Sequence, residues 1–113
     1  IRAVASGHFA TNGNNKTVKF WFAGATIISS GVVTSSNIDW VCSIEITRIT
    51  NTTVSCVGTF TASGVASITT VTPNLTVASL TATASIVKIT GASPTTGATS
   101  DVLGYLMKTW FEN

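Results

Sequence analysis

The residues that could do chemistry in this 113-residue chain are few and far apart in the sequence. One histidine, His8, and two cysteines, Cys42 and Cys56, are the available nitrogen and sulfur ligands for a metal. Their spacing matches no zinc-binding pattern, since such sites bring together four ligands at short, recognisable intervals. We therefore expect no metal site, and we expect His8 to be a surface residue beside a turn.

The candidate acids and bases are four carboxylates: Asp39, Glu45, Asp101 and Glu112. A glycosidase needs two carboxylates about 5 to 9.5 Å apart across a cleft. Asp39 and Glu45 share one face of a predicted strand, but they lie six positions apart, which is roughly 20 Å at the rise of a strand. Folding could bring Asp101 near either one, and a calcium site at loop carboxylates is equally open. No sequence motif supports either arrangement.

Ser85 and Lys88 match the letter pattern S-x-x-K of serine acyl-enzymes. That motif works on a helix, where residues i and i+3 share a face. The segment here alternates like a strand, so the two side chains would point to opposite sides. There is also no G-x-S-x-G, no P-loop and no dinucleotide-binding fingerprint. The sequence predicts a protein that is not an enzyme and holds no cofactor.

The composition is unusual in its low charge. Charged residues make up 9% of the chain, against about 25% in typical soluble domains. Ser and Thr replace them, and the β-branched Thr suits a half-exposed strand surface. Edge strands are normally guarded by charges, and burial between subunits is another way to protect them. The composition therefore indicates β-structure and hints at assembly.

The positive charges do not form a cluster in the sequence. Lys16 and Lys19 are the one local pair, and they are expected to be solvated charges flanking a turn. The chain is thus not expected to bind nucleic acid, which calls for a basic face. No apolar run approaches the roughly 18 residues that cross a bilayer, so no membrane contact is expected either. The start of the chain resembles a strand entered part-way, which suggests a missing upstream segment or stem.

Alternation of apolar and polar residues recurs between turn signals. The longest alternating runs are 1–9, 18–22 and 38–49, and Asn, Gly, Ser and Pro clusters separate them. Further short runs bring the total to about eight strands, one of them ending at Pro73 and Asn74 and another following it. This pattern is typical of an antiparallel β-sandwich or jelly roll. We expect one domain over residues 1–113.

The same register argues against a disulfide. If residues 38–50 and 53–60 form a hairpin about Asn51 and Thr52, Cys42 lies opposite Thr61. Cys56 then lies opposite Thr47, well beyond the roughly 7 Å between Cα atoms that a disulfide permits. We expect two free thiols in the core.

The last segment, from Asp101 to Phe111, fits either a helix or a strand. Its apolar residues recur at helical spacing, with Ser100 or Asp101 as a possible cap. Against a helix, Gly104 in the middle costs about 1 kcal/mol relative to Ala. A strand that is apolar on both faces is the alternative.

The aromatic residues divide by their position in the alternation. Phe20, Phe22 and Trp40 share parity with other apolar residues and are expected in the core. Three others are candidates for a subunit interface, because a partly buried Tyr or Trp favours such surfaces: Trp21, Tyr105 and Trp110.

The order of these pieces resembles a domain of bacteriophage virion proteins. The matching features begin with Arg2, the G-x-F-A element at 7–10, the Asn-rich turn at 12–15 and K-T-V at 16–18. They continue with a Gly-x-x-I piece at 24–27 and a W…R strand at 40–48. The I-x-K-x-T-G element at 86–91 and a closing Asp101-Val102 complete the series. The resemblance spans nearly the whole chain, and it favours a strand for the last segment.

The resemblance implies a jelly-roll-like domain on the surface of a phage particle. Such domains are often trimers, either at a fibre tip or decorating the capsid, and they contact other virion proteins. The family offers no catalytic residues. An alternative is host attachment by the same fold, with a surface glycan bound by loops 12–15 or 93–100. A second is a monomeric immunoglobulin-like adhesion domain.

Overall fold

The computed structural model describes residues 1–81, 85–94 and 100–111, and they form β-strands joined by turns and loops. The described part contains no helix long and apolar enough to cross a membrane. Eight strands are present: β1 (Arg2–Phe9), β2 (Thr17–Phe22), β3 (Ala25–Ser29), β4 (Ile38–Arg48), β5 (Thr53–Ala62), β6 (Val65–Thr76), β7 (Val87–Ala92) and β8 (Val102–Trp110).

The strands form two antiparallel sheets. The larger sheet has five strands in the order β6-β5-β4-β1-β8, and the smaller has three in the order β3-β2-β7. The first strand therefore pairs with the last, and the second pairs with the seventh. The expected all-β sandwich of about eight strands is confirmed.

The core lies between the sheets and follows the period-two pattern of the sequence. Every second residue of β1, β2, β4 and β5 is buried, which places one face of each strand against the other sheet. Phe9, Phe20, Phe22 and Trp40 are among these residues, each at most 2% exposed. The predicted core positions of Phe20, Phe22 and Trp40 are confirmed.

Two glycines allow close approaches around this core. A Cβ atom at Gly58 of β5 would lie 2.6 Å from the Cβ atom of Ile28 on β3, so the absence of a side chain lets the sheets meet there. On β1, a Cβ atom at Gly7 would overlap the Trp40 ring and the backbone oxygen of Leu103. Glycine thus makes room for the one core tryptophan.

The two cysteines are free and buried, as expected. The predicted hairpin register is wrong by one residue, because Cys42 pairs with Phe60 and Cys56 pairs with Ile46. The shift puts both sulfurs on the buried face of the sheet. Burial raises the pKa of Cys42 to about 12, and it also raises the pKa of Cys56.

The sixth strand is longer than expected. It continues through Pro73 and Asn74 to Thr76, and the register shifts between Val54 and Cys56 of the neighbouring strand. The bulge accommodates a proline, which lacks an N–H group, on an edge strand. The separate strand expected after Asn74 is therefore wrong over the described residues 77–81, and residues 82–84 lie outside the described part. The last segment is a strand, β8, as the resemblance favoured.

Candidate functional site

Among the described residues, large exposed apolar side chains are concentrated on β8, an edge strand of the five-stranded sheet, and at Phe111 just after it. Tyr105, Leu106 and Phe111 are 65%, 59% and 78% exposed. Three further apolar residues of this segment expose between 38% and 40% of their surface. We call the six residues the β8 strip: Leu103, Tyr105, Leu106, Met107, Trp110 and Phe111.

The strip is apolar on both faces of β8. Leu106 and Trp110 lie beside Ser6 and Arg2 on the outer face of the sheet, whereas Met107 lies beside Ala5 on the inner face. Inner-facing Met107 is still 39% exposed. The strand is therefore not covered on either side as a central strand would be.

A bulge fixes the middle of the strip. The register of β1 with β8 shifts between Ser6 and Gly7, and Tyr105 is the extra residue on β8. Its ring stacks on His8, with centroids 6.4 Å apart and planes inclined by 19°. At the other end, the Lys108 ammonium lies 5.1 Å from the centre of the Trp110 ring. The one charge on this strand is thus drawn over an aromatic face.

His8 belongs to a second contact beside the strip. Its Nδ1 donates a hydrogen bond of 2.8 Å to Oδ1 of Asp39, whose side chain is 82% exposed. Within the residues described, no group of three or more potential metal ligands occurs here or elsewhere. The pair links the neighbouring strands β1 and β4, and its His8 ring lies next to Tyr105.

Trp21 lies on the outer face of the other sheet. Its indole Nε1 donates a 2.9 Å hydrogen bond to Thr90 Oγ1 on β7. The ammonium groups of Lys88 and Lys19 lie 5.0 and 5.7 Å from the ring centre. The result is a half-buried tryptophan with two positive charges and a hydroxyl beside it.

The structure therefore separates the three residues predicted for a subunit interface. Tyr105 and Trp110 belong together on β8, while Trp21 is on the three-stranded sheet. A single contact surface centred on β8 would include the first two. Sequence spacing did not reveal this division, because strand pairing alone determines which sheet each residue joins.

A buried polar cluster joins the β1–β2 loop to the beginning of β8. The carboxylate of Asp101 accepts hydrogen bonds from Asn12 Nδ2 at 2.7 Å and from Asn14 Nδ2 and Ser93 Oγ at 2.9 Å. Its backbone oxygen accepts a further bond from Ala10 N at 3.0 Å. Asp101 is 5% exposed. We call these contacts the Asp101 clamp.

The clamp explains an unexpected burial of charge. Lys16 is fully buried, and its Nζ donates to the backbone oxygens of Asn12 and Asn14 at 2.8 and 3.0 Å. The expectation that Lys16 is a solvated turn charge is therefore wrong. The amides of Asn12 and Asn14 have the largest effects on the pKa of Asp101 and lower it. Burial opposes them, while Ser93 and the positive charge of Lys16 lower it further, and the net shift is downward.

The remaining candidates for chemistry lie apart from one another. Asp39 and Glu45 are both exposed on β4, and Glu45 approaches Arg2 at 3.6 Å. Ser85 precedes β7, while Lys88 on that strand turns to Trp21. Glu112 lies outside the described residues.

A cavity of about 520 Å³ opens at the end of the sandwich near Arg2 and Glu45. Phe22, Val54 and Leu80 contribute apolar walls. Arg48, also on its wall, is held by the backbone oxygen of Thr50 at 3.2 Å and by the side chain of Asn51. The charged side chains around this cavity are thus engaged: Arg48 with the turn, and Arg2 with Glu45.

Sequence reasoning missed the clamp, although one signal for it was present. An aspartate follows the Ser- and Thr-rich loop, and three asparagines fill the loop that faces it. Asparagine amides are good donors for a carboxylate. The sequence does not show that the two loops lie close together, because Asn12 and Asp101 are 89 positions apart in it.

Comparison of the chain with models of protein families, with curated proteins and with solved structures finds no match.

Proposed function

We propose that this chain is a non-enzymatic structural domain of a bacteriophage particle, working as a homo-oligomer of three copies on the particle surface. Capsid decoration or the tip of a fibre are the two placements that fit. The β8 strip is the observation that carries the assembly part of the proposal. The partner that covers it is a second copy of this chain.

The size of the strip supports a protein partner. Six large side chains exposed by 38% to 78% offer roughly 600–700 Å² per copy, close to the roughly 800 Å² per partner of a standard interface. A typical monomer shows a largest apolar patch of about 300–600 Å². Three strips meeting at a common axis would remove this surface from water.

The chemistry of the strip supports another copy of the same chain. Within β8 the one charged side chain, Lys108, lies over Trp110 and leaves the rest of the surface apolar. An apolar surface has no means of attracting nucleic acid or an acidic partner by charge. An identical apolar strip on a neighbouring copy matches it in both size and polarity.

The placement on a phage particle rests on the sequence. The opening G-x-F-A and Asn-rich turn, the central W…R strand and the closing I-x-K-x-T-G element occur in the order found in the virion domains. The low charge of the chain also fits a subunit whose neighbours cover its strand surfaces.

A structural role agrees with the contacts that the carboxylates make. Asp101 accepts three side-chain hydrogen bonds, and Glu45 and Asp39 have their own basic neighbours, Arg2 and His8. These contacts join loops and link the neighbouring strands β1 and β4. They support the proposal that the chain does not catalyse a reaction.

The molar mass in solution tests the assembly part. Size-exclusion chromatography with light scattering, over a hundredfold range of protein concentration, is expected to give about three times the 11.7 kDa of one chain. A monomer at every concentration contradicts the assembly and favours the adhesion-domain alternative. A dimer keeps the assembly and rejects three copies.

Immunogold labelling tests the location. Antibodies raised against the folded domain are expected to label intact phage particles whose genome encodes this sequence. Labelling of disrupted particles alone contradicts a position on the surface.

We propose host attachment as a second function, because of the surroundings of Trp21. Its half-buried ring, two ammonium groups and the Thr90 hydroxyl suit a glycan that carries carboxylate or sulfate groups. The loop amides proposed from sequence are less available, since Asn12 and Asn14 bind Asp101. Residues 95–99 of the other loop lie outside the described part.

Binding to an array of acidic and neutral glycans tests this second function. We expect acidic glycans to bind the wild-type domain and to lose binding in Trp21→Ala. Tyr105→Ala, on the other sheet, is the matched control and should bind normally. Equal binding by both variants would reject the Trp21 site.

A further inference from the structure

The Asp101 clamp holds a chemically labile pair, Asn12-Gly13. Asn12 Oδ1 accepts a 3.1 Å hydrogen bond from the backbone N–H of Asn14, and Asn12 Nδ2 donates to Asp101. A backbone N–H can only donate and a carboxylate can only accept, so the orientation of this amide is settled by its partners. Both ends of the side chain are therefore fixed.

Gly13 provides the other half of the reactive pair. It is exposed, and a Cβ atom at this position would meet nothing within 4 Å. Because glycine has no side chain of its own, its backbone nitrogen is less hindered than that of other residues in attacking the preceding side chain. Asparagine is one of the residue types known to limit thermal durability.

The chemistry open to this pair is deamidation. The backbone nitrogen of Gly13 gives its proton to solvent and forms a bond to Cγ of Asn12. The bond from Cγ to Nδ2 breaks, and the nitrogen leaves as ammonia after taking a proton from water. Water then opens the five-membered succinimide at one of its two carbonyls, which leaves aspartate or isoaspartate.

We propose that Asn12 is a modification site of this protein, protected from deamidation by the Asp101 clamp and converted once the clamp opens. In the closed clamp, Cγ cannot turn toward the Gly13 nitrogen without breaking the hydrogen bonds at Oδ1 and Nδ2. The rate of deamidation in the folded protein is then the rate of deamidation with the clamp open, multiplied by the fraction of time that the clamp is open.

The product prevents the clamp from closing again. Conversion replaces the Nδ2 donor, 2.7 Å from Asp101, with a carboxylate oxygen. Two carboxylates at this distance repel each other, and the site loses a donor that it had. Asn14 and Lys16 remain on the same loop, but their contacts depend on its closed shape. Each conversion thus releases the β1–β2 loop from β8 irreversibly.

Site-resolved mass spectrometry tests the proposal and does not depend on the number of subunits. The domain is incubated at pH 8 and 37 °C, and the mass gain of about 1 Da from exchanging NH₂ for OH is followed at Asn12. Wild type is compared with Asp101→Ala, with Gly13→Ala and with wild type in denaturant. Near-UV circular dichroism shows which samples remain folded.

We expect Asn12 in folded wild type to react at least about tenfold more slowly than in folded Asp101→Ala or in the denatured chain. Gly13→Ala should slow the reaction in both states, because it hinders the attacking nitrogen and is accommodated in the fold. Should Asp101→Ala fail to fold, Ser93→Ala, which removes one clamp contact, must show a faster reaction than wild type.

Equal rates in folded wild type and a folded clamp variant would overturn protection by the clamp. Equal rates of deamidation in folded and denatured wild type would also overturn protection by the clamp. Release of the β1–β2 loop by conversion requires that Asn12→Asp lowers the thermal midpoint, and an unchanged midpoint would reject that release. A monomeric domain would leave all of these outcomes intact.

Discussion

The side chain of Ile28 on β3 occupies the space above Gly58 on β5, with its Cβ atom 2.6 Å from where a Cβ at position 58 would be. We predict that Gly58→Ala forces the two sheets apart and lowers the free energy of unfolding by about 1–3 kcal/mol. Urea unfolding measures the change. Gly104→Ala, where a Cβ meets nothing within 4 Å, is the matched control. Equal stability of Gly58→Ala and wild type would show that Ile28 can move aside.

The β8 strip predicts the effect of a charge at Leu106. Leu106→Lys places an ammonium group in the middle of the apolar strip, so the oligomer should dissociate to the 11.7 kDa of one chain. Val71→Lys on β6 is the control, because Val71 is also largely exposed, at 64%, and lies outside the strip. Light scattering compares the two. Loss of assembly in both variants, or in neither, would reject the strip as the contact.

Burial of the thiols predicts their reactivity. The thiolate is the reacting form of cysteine, and burial raises the pKa of Cys42 to about 12 and raises that of Cys56. Neither thiol of the folded protein should react with an aromatic disulfide reagent at pH 8 over an hour. Both should react within minutes in guanidinium chloride. A fast reaction of either thiol in the folded protein would contradict the described core.

The hydrogen bonds to Asp101 predict a dependence of stability on pH. They lower its pKa in the folded state, so its contribution to stability is complete above the unfolded pKa of about 4 and is lost as pH falls through the lower folded value. The thermal midpoint of wild type should therefore fall more steeply below pH 4 than that of Asp101→Asn. Parallel curves for wild type and Asp101→Asn would contradict the role of the clamp.

Much of the fold could be predicted because its strands have one buried and one exposed face. Residues of β1, β2 and β4 alternate strictly between the core and the surface, so the period in the sequence is the period of burial. β8 lacks this signal because Leu106 on its outer face and Met107 on its inner face are both apolar and exposed. The local pattern of apolar and polar residues could not distinguish a strand of this kind from a helix.

The clamp was beyond sequence reasoning for a different reason. A lysine in a turn is ordinarily solvated. Here the carbonyl groups of Asn12 and Asn14, together with the charge of Asp101, compensate the burial of Lys16. Those groups converge because Asp101 holds the asparagine side chains from the opposite loop. Such a cluster exists only after distant segments have met, so no spacing within one segment encodes it.

The bulge at Pro73 limits how copies of the chain can add to one another at the edges of the sheet. Pro73 lies on the edge strand β6 and offers no N–H to an incoming strand, and the bulge bends the ladder there. A sheet extended at both ends would grow into a filament without limit. With one end closed in this way, the sheet cannot extend into such a filament, and the chain is suited to particles of fixed size.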